Sequence, residues 1–166
     1  MTFSVNATND FLTGRTPTVT PSDSSDNTVR FRLPLQTADL ALNTIGNIAI
    51  LPAGCVPVSI LFDSDDLDSN ATPTIAWSVG VSNASVVNNI QGVTPTALST
   101  ASVDGGAAWA TSILTSRNSG QDMLTSRALS RVAPTTYDRY VVLQATTAAA
   151  TAVAGEVGLT LTYRFA

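Results

Sequence analysis

The chain has 166 residues, a mean hydropathy of +0.22 and a formal net charge of −4, and only 12% of its residues are charged. Histidine and lysine are both absent, which excludes the usual general base, histidine zinc ligands, and Schiff-base or Walker-type phosphate chemistry. The eight basic residues are all arginines and form no cluster, so the sequence does not predict a nucleic-acid partner.

No run of about 18 apolar residues is present, so the sequence predicts no membrane partner. Residues Met1–Asn6 have neither a basic region nor an apolar stretch, and no signal peptide is expected there. Cys55 is the single cysteine, which predicts that there is no internal disulfide.

The first 27 residues are rich in Thr, Ser, Asn and Asp and contain few apolar side chains. Such a segment buries too little apolar surface to fold alone. We therefore expect residues 1–27 to be either disordered or an extended arm that lies along another surface, with Phe3 and Phe11 as its anchors.

From Thr28 onward, short segments with alternating apolar residues are separated by turn residues, which is typical of β-strands. Pro34 cannot donate to a strand ladder, so the first segment is expected at a sheet edge or to end there. The expected strands are Thr28–Leu35, Ile45–Leu51, Val56–Phe62, Thr74–Val81, Ala107–Leu114, Arg139–Ala145 and Gly155–Phe165. Ser85–Val87 and Asn89–Gln91 could be short strands or loop, and 123–132 is ambiguous. Ala107–Leu114 also suits a helical turn, but a strand is favoured because its neighbours are strands.

The alternation also predicts which side chains form the core. The expected core residues are Val29, Phe31, Leu33, Val58, Ile60, Phe62, Ile75, Trp77, Val79, Val141, Leu143, Leu159, Leu161 and Tyr163.

Two hairpins are expected between strands that follow each other in the chain. One joins the strands that begin at Val56 and Thr74, and the other joins those that begin at Arg139 and Gly155. Many short strands without a long helical period predict an all-β fold. The sequence thus predicts an antiparallel β-sandwich or jelly-roll-like single domain at 28–166 with an extended N-terminal arm at 1–27.

The most acidic stretch is Asp63–Asn70, with four carboxylates in six positions. Such a set suits an oxygen-ligated Ca²⁺, but the stretch lacks the glycine and the distal glutamate of an EF-hand loop. An exposed turn whose Asp and Asn side chains accept backbone hydrogen bonds is favoured. We therefore expect no metal and no cofactor.

The two tryptophans are the candidates for a sugar-binding platform. Trp77 occupies the apolar phase of its strand, which favours the core, whereas the sequence leaves Trp109 open.

Several stretches, in this order, resemble the small structural proteins of tailed bacteriophages, including head-decoration or cement proteins. They are Ala38–Ala41, Ile50–Gly54, Phe62–Asn70, Pro73–Ile75, Val79–Gly80, Arg131–Pro134, Thr147–Ala150 and Gly155–Leu161. The resemblance covers residues from about 28 to 166 and leaves the arm outside.

The resemblance implies a non-enzymatic capsid decoration protein on the capsid surface of the virion, assembled in the bacterial host cytoplasm. Its implied partners are the major capsid protein and further copies of itself, as a trimer. The open alternatives are a tail, neck or fibre component and, in a different class, a carbohydrate-binding β-sandwich. The expected subunit-interface residues are Phe3, Phe11, Leu12, Arg15, Arg30 and Arg32.

Overall fold

A computed structural model describes residues 25–85, 108–124, 126 and 128–166. Within these ranges no helix is long and apolar enough to cross a membrane. The predictions for the arm before residue 25 and for the short segments between 86 and 107 lie outside the described residues.

Eight strands and three short 3-10 helices make up the described part of the chain. The strands are β1 (Asn27–Leu35), β2 (Ile45–Leu51), β3 (Cys55–Ser64), β4 (Ala76–Ser85), β5 (Ala108–Ile113), β6 (Gly120–Leu124), β7 (Arg139–Thr147) and β8 (Gly155–Phe165). The 3-10 helices span Thr37–Leu40, Thr115–Arg117 and Leu129–Arg131.

The strands form two four-stranded antiparallel sheets, which confirms the predicted all-β sandwich. The first sheet has the order β1-β8-β3-β6, and the second has the order β2-β7-β4-β5. β1 is an edge strand, as Pro34 predicted.

The pairing is nested: β1 pairs with β8, β2 with β7, β3 with β6 and β4 with β5. The chain is thus a long ribbon doubled back on itself, and successive pairs of that ribbon alternate between the sheets. Two further pairings, β3 with β8 and β4 with β7, join the strand pairs within each sheet.

Both predicted hairpins are wrong. β3 and β4 belong to different sheets, and so do β7 and β8. Among the described strands, β4 and β5 are the one consecutive pair that is hydrogen-bonded. Alternation shows which face of a strand is apolar, but that face fits equally well against either sheet, so alternation does not identify the hydrogen-bonded neighbour.

The core lies between the sheets and contains nearly all the residues that the alternation predicted. Val29 is only partly buried against it. Val58 is a wrong prediction, because its side chain is 42% exposed. The β3–β8 register shifts between Pro57 and Ser59, and this bulge turns Val58 outward.

In the second sheet, β2 and the first part of β7 are buried on both faces. All seven residues of β2 are buried, and so are the first five residues of β7. In these strands the core cluster includes Val141 and Leu143, while Tyr140 and Val142 point to the opposite face of the sheet. This explains why the two segments are continuous apolar runs without clean alternation.

Candidate interaction surfaces

The outward face of the first sheet is polar and carries two of the predicted interface residues. Arg30 donates to Asp63 Oδ1 at 2.7 Å, and Arg32 donates to Glu156 Oε1 at 2.6 Å. Both arginine side chains are about half exposed or more, at 47% and 65%. The two residues are therefore accessible to a partner, but each already has a carboxylate from its own chain.

Gly158 makes the Arg30–Asp63 pair possible. It lies on β8 opposite Asp63, between the strands that carry the two partners. A Cβ atom at residue 158 would overlap the Asp63 carboxylate, so the missing side chain leaves the space in which that carboxylate lies. The sequence shows Gly158 only as one of the small residues between apolar positions.

The acidic stretch organises the upper end of the sandwich, where Ser64 and Gly155 lie. Asp68 is only 1% exposed, and its carboxylate accepts four backbone hydrogen bonds. The donors are the N–H groups of Thr74 (2.7 Å), Ile75 (3.1 Å), Ala150 (2.9 Å) and Thr151 (2.8 Å). One side chain thus ties the β3–β4 connection to the β7–β8 connection.

Hydrogen bonding decides the charge of Asp68. Burial alone raises the pKa of a carboxyl group, but the four N–H donors outweigh burial and lower the pKa of Asp68 to about 2. The predicted acceptance of backbone bonds is confirmed, whereas the predicted exposure is wrong for Asp68.

Other carboxylates of the stretch have similar structural contacts. Asp65 accepts from the Glu156 N–H at 2.8 Å, and Asp66 accepts from the Asp68 N–H at 3.1 Å. Among the described residues, no group of three or more Cys, Asp or Glu side chains is arranged to hold a metal ion.

A buried polar network lies next to these loops. Trp77 Nε1 donates to the Ser116 hydroxyl at 2.9 Å, and that hydroxyl lies 2.6 Å from the Ser64 hydroxyl. Arg117 donates to the carbonyl oxygens of Thr74 and Ile75, each at 2.8 Å. These polar side chains at the upper end therefore have their partners within the chain.

The tryptophans do not form a sugar-binding platform. Trp77 is fully buried, and Trp109, which the sequence left open, is 2% exposed. Both belong to the core cluster between the sheets.

The lower end, where Cys55 and Phe165 lie, carries a surface groove that sequence reasoning missed. The groove has a volume of about 380 Å³ and lies between the β3 bulge and the 3-10 helix Leu129–Arg131. The exposed Val58 lines it. Pro57 was the available signal, because a proline inside a strand is found at a sheet edge or at a bulge.

Phe3, Phe11, Leu12 and Arg15 lie outside the described residues. The predicted interface of the arm residues with Arg30 and Arg32 therefore stays a prediction.

No protein-family model matches the chain, and no curated protein matches it either. Solved phage capsids contain chains of similar fold. A chain of the "Capsid of Ralstonia phage GP4" superposes with a TM-score of 0.76 and 25% identity, over 95% of this chain and 96% of that chain. A chain of the "Cyanophage Pam1 capsid asymmetric unit" has a TM-score of 0.52 and 23% identity, over 92% and 96%, and this second likeness is one of fold alone. The capsid likeness supports the resemblance to phage structural proteins.

Proposed function

We propose that this protein is a non-enzymatic structural component of a bacteriophage virion, and specifically a capsid decoration or cement protein. The observation that carries the proposal is the likeness to a chain of the Ralstonia phage GP4 capsid, over 95% of one chain and 96% of the other. The likeness extends over nearly the full length of both chains and is not limited to one shared segment.

The architecture supports a structural role. We assign the nested pairing to the jelly-roll class, which recurs in viral capsid domains and in lectins. The upper loops are held by a buried carboxylate with four N–H donors, and the first sheet carries ion pairs across its strands. Such a rigid body adds stability when it is attached many times over a shell, even if each contact is weak.

The proposed partners are the major capsid protein and further copies of this chain. A standard protein interface buries about 1,200–2,000 Å² in total, which a domain of this size can provide. Closed symmetry is usual for small subunits, and a trimer suits the local three-fold positions of an icosahedral shell. The location that follows is the capsid surface, after assembly in the bacterial host cytoplasm.

Within this proposal the arm, residues 1–27, acts between subunits, and the sandwich, residues 28–166, is the folded body. Phe3, Phe11, Leu12 and Arg15 are the contacts on the arm. Arg30 and Arg32 lie on the exposed face of the body, where they can join a contact while keeping their own carboxylates.

The test compares phage particles made with and without the protein. Particles that lack it should lose their DNA at a lower temperature, and purified protein added back should restore the wild-type temperature. Quantitative mass spectrometry should find hundreds of copies per wild-type particle.

Equal heat resistance of the two kinds of particle would contradict the decoration role. A handful of copies confined to the tail would favour a tail, neck or fibre component instead. Retention on a glycan array would favour the carbohydrate-binding class.

A further inference from the structure

The lower groove, defined above by its position between the β3 bulge and the 3-10 helix Leu129–Arg131, has an apolar floor and a basic rim. Leu124, Leu129 and Val132 are buried beneath it, and Val58 is exposed in it. Among the described residues that line it, Arg164 is the one that carries a charge. Since none of these described lining residues is acidic, the groove suits an apolar group that lies next to a negative charge.

The arm joins the sandwich close to this groove. Asn27, the first residue of β1, lies opposite Tyr163 of β8, which in turn lies opposite Pro57 of β3. Neighbouring strands are about 4.8 Å apart, so the start of the arm is roughly 10 Å from the groove. The chain therefore enters the first sheet at this end of the molecule.

The arm contains a segment whose chemistry matches the groove. Phe11 and Leu12 are adjacent apolar residues, and Asp10 comes directly before them. An apolar pair fits the floor formed by Leu124, Leu129 and Val132, and the carboxylate of Asp10 is the complement of Arg164.

The sequence between Leu12 and Asn27 favours docking of the arm on a second molecule over docking on its own molecule. It contains Pro17 and Pro21, and a residue that precedes proline is biased toward extended backbone. Fifteen extended residues span about 50 Å, five times the distance to the chain's own groove. An extended arm is therefore long enough to bring Phe11 and Leu12 to the groove of a second molecule.

We infer that the lower groove is the docking site for the Asp10–Leu12 segment of a second copy of this chain. A contact of arm to groove is heterologous, and such a contact forms a ring when its rotation closes; a ring of three copies agrees with the proposed trimer. The inference rests on the proposed role of the arm between subunits, but it does not depend on the capsid.

The first experiment measures self-association of the full-length purified protein by analytical ultracentrifugation. Val58→Asp should abolish association and leave the melting temperature unchanged, because Val58 is 42% exposed. Val153→Asp is the matched control at the upper end, where Val153 is 38% exposed, and it should associate like the wild type.

A charge exchange tests the polar part of the contact. Arg164→Glu should raise the dissociation constant about tenfold or more, and adding Asp10→Arg in the same chain should restore much of the affinity. A wild-type protein that stays monomeric at all concentrations would overturn the inference. So would a Val58→Asp protein that associates normally.

Disulfide trapping distinguishes a second copy from the same chain. Thr13→Cys and Ser130→Cys are introduced into separate chains, which are then mixed and oxidised; Cys55 is buried and does not interfere. Heterodimers should form, whereas Thr72→Cys in place of Ser130→Cys should give none. If only a chain that carries both cysteines cross-links, and does so within itself, the docking of a second copy is wrong.

The proposed capsid role and the groove inference can be contradicted independently of each other. Oligomers that require the groove but are absent from particles would contradict the capsid role alone. Fully decorated particles built from a monomeric protein would contradict the groove inference alone.

Discussion

Asp68 shows how one buried carboxylate can hold two loops together. Each of its four hydrogen bonds comes from a backbone N–H, so any other residue at position 68 leaves donors buried without an acceptor. The ionised form of Asp68 is the one that accepts these four bonds. The stability of the upper end therefore depends on pH.

We predict that the protein loses stability as the pH falls from about 4 to about 2. The folded-state pKa of Asp68 lies below its ordinary value of 3.8, so its contribution is complete above that value and disappears as the folded protein takes up the proton. The difference of nearly two pKa units corresponds to about 2 kcal/mol. Chemical denaturation at a series of pH values measures it.

Asp68→Asn should lower the free energy of unfolding at pH 7 by about 2–3 kcal/mol and remove most of this acid dependence. Asp26→Asn is the control, because Asp26 is exposed, and it should behave like the wild type. An Asp68→Asn protein with the same acid dependence as the wild type would assign that dependence to other groups.

Gly158 is a position where a side chain would be unfavourable, because a Cβ atom there would overlap the Asp63 carboxylate. Gly158→Ala should break the Arg30–Asp63 pair by displacing the carboxylate, which is the far end of a side chain that can move. The pair is exposed, and alanine is favoured over glycine in a strand, so the free energy of unfolding should change by less than about 1 kcal/mol. A double-mutant cycle with Arg30→Gln and Asp63→Asn should show coupling only when Gly158 is present.

At the scale of elements, the positions of the strands follow from the sequence, but their partners do not. Gly155–Phe165 is a strand with the predicted bounds because its apolar residues alternate over eleven positions. Its neighbours β1 and β3 begin more than 90 residues earlier in the chain, and no local pattern encodes such a pairing.

The functional surfaces were less predictable than the strands. The acidic stretch was singled out from its composition, but the burial of Asp68 depends on loops that meet only in the folded chain. The lower groove depends on a bulge of one residue, which shifts Val58 from the core to the surface and breaks the alternation that predicted it.

The bulge predicts different effects of alanine substitution at two aliphatic residues of the first sheet. Leu161→Ala should lower the free energy of unfolding by about 2–5 kcal/mol, because Leu161 is fully buried. Val58→Ala should change it by less than about 0.5 kcal/mol, because the site is exposed. Equal losses in denaturant titrations of the two variants would show that the bulge is misplaced.

At the scale of the whole molecule, the arm and the sandwich have separate tasks in our proposal. Deleting residues 1–24 keeps all of β1 and should leave the melting temperature of the domain within about 2 °C of the wild type. The same deletion should abolish self-association in ultracentrifugation. If the shortened chain unfolds, the arm belongs to its own core and the groove receives no second copy.

The nested strand order also has a consequence for synthesis of the protein on the ribosome. β8 joins β1 to β3, and β7 joins β2 to β4, so the two strands that emerge after the other six are the ones that complete each sheet. Until they emerge, four strands lack a neighbour and expose open edges. Both sheets of the described structure can therefore be completed only after β7 and β8 have been translated.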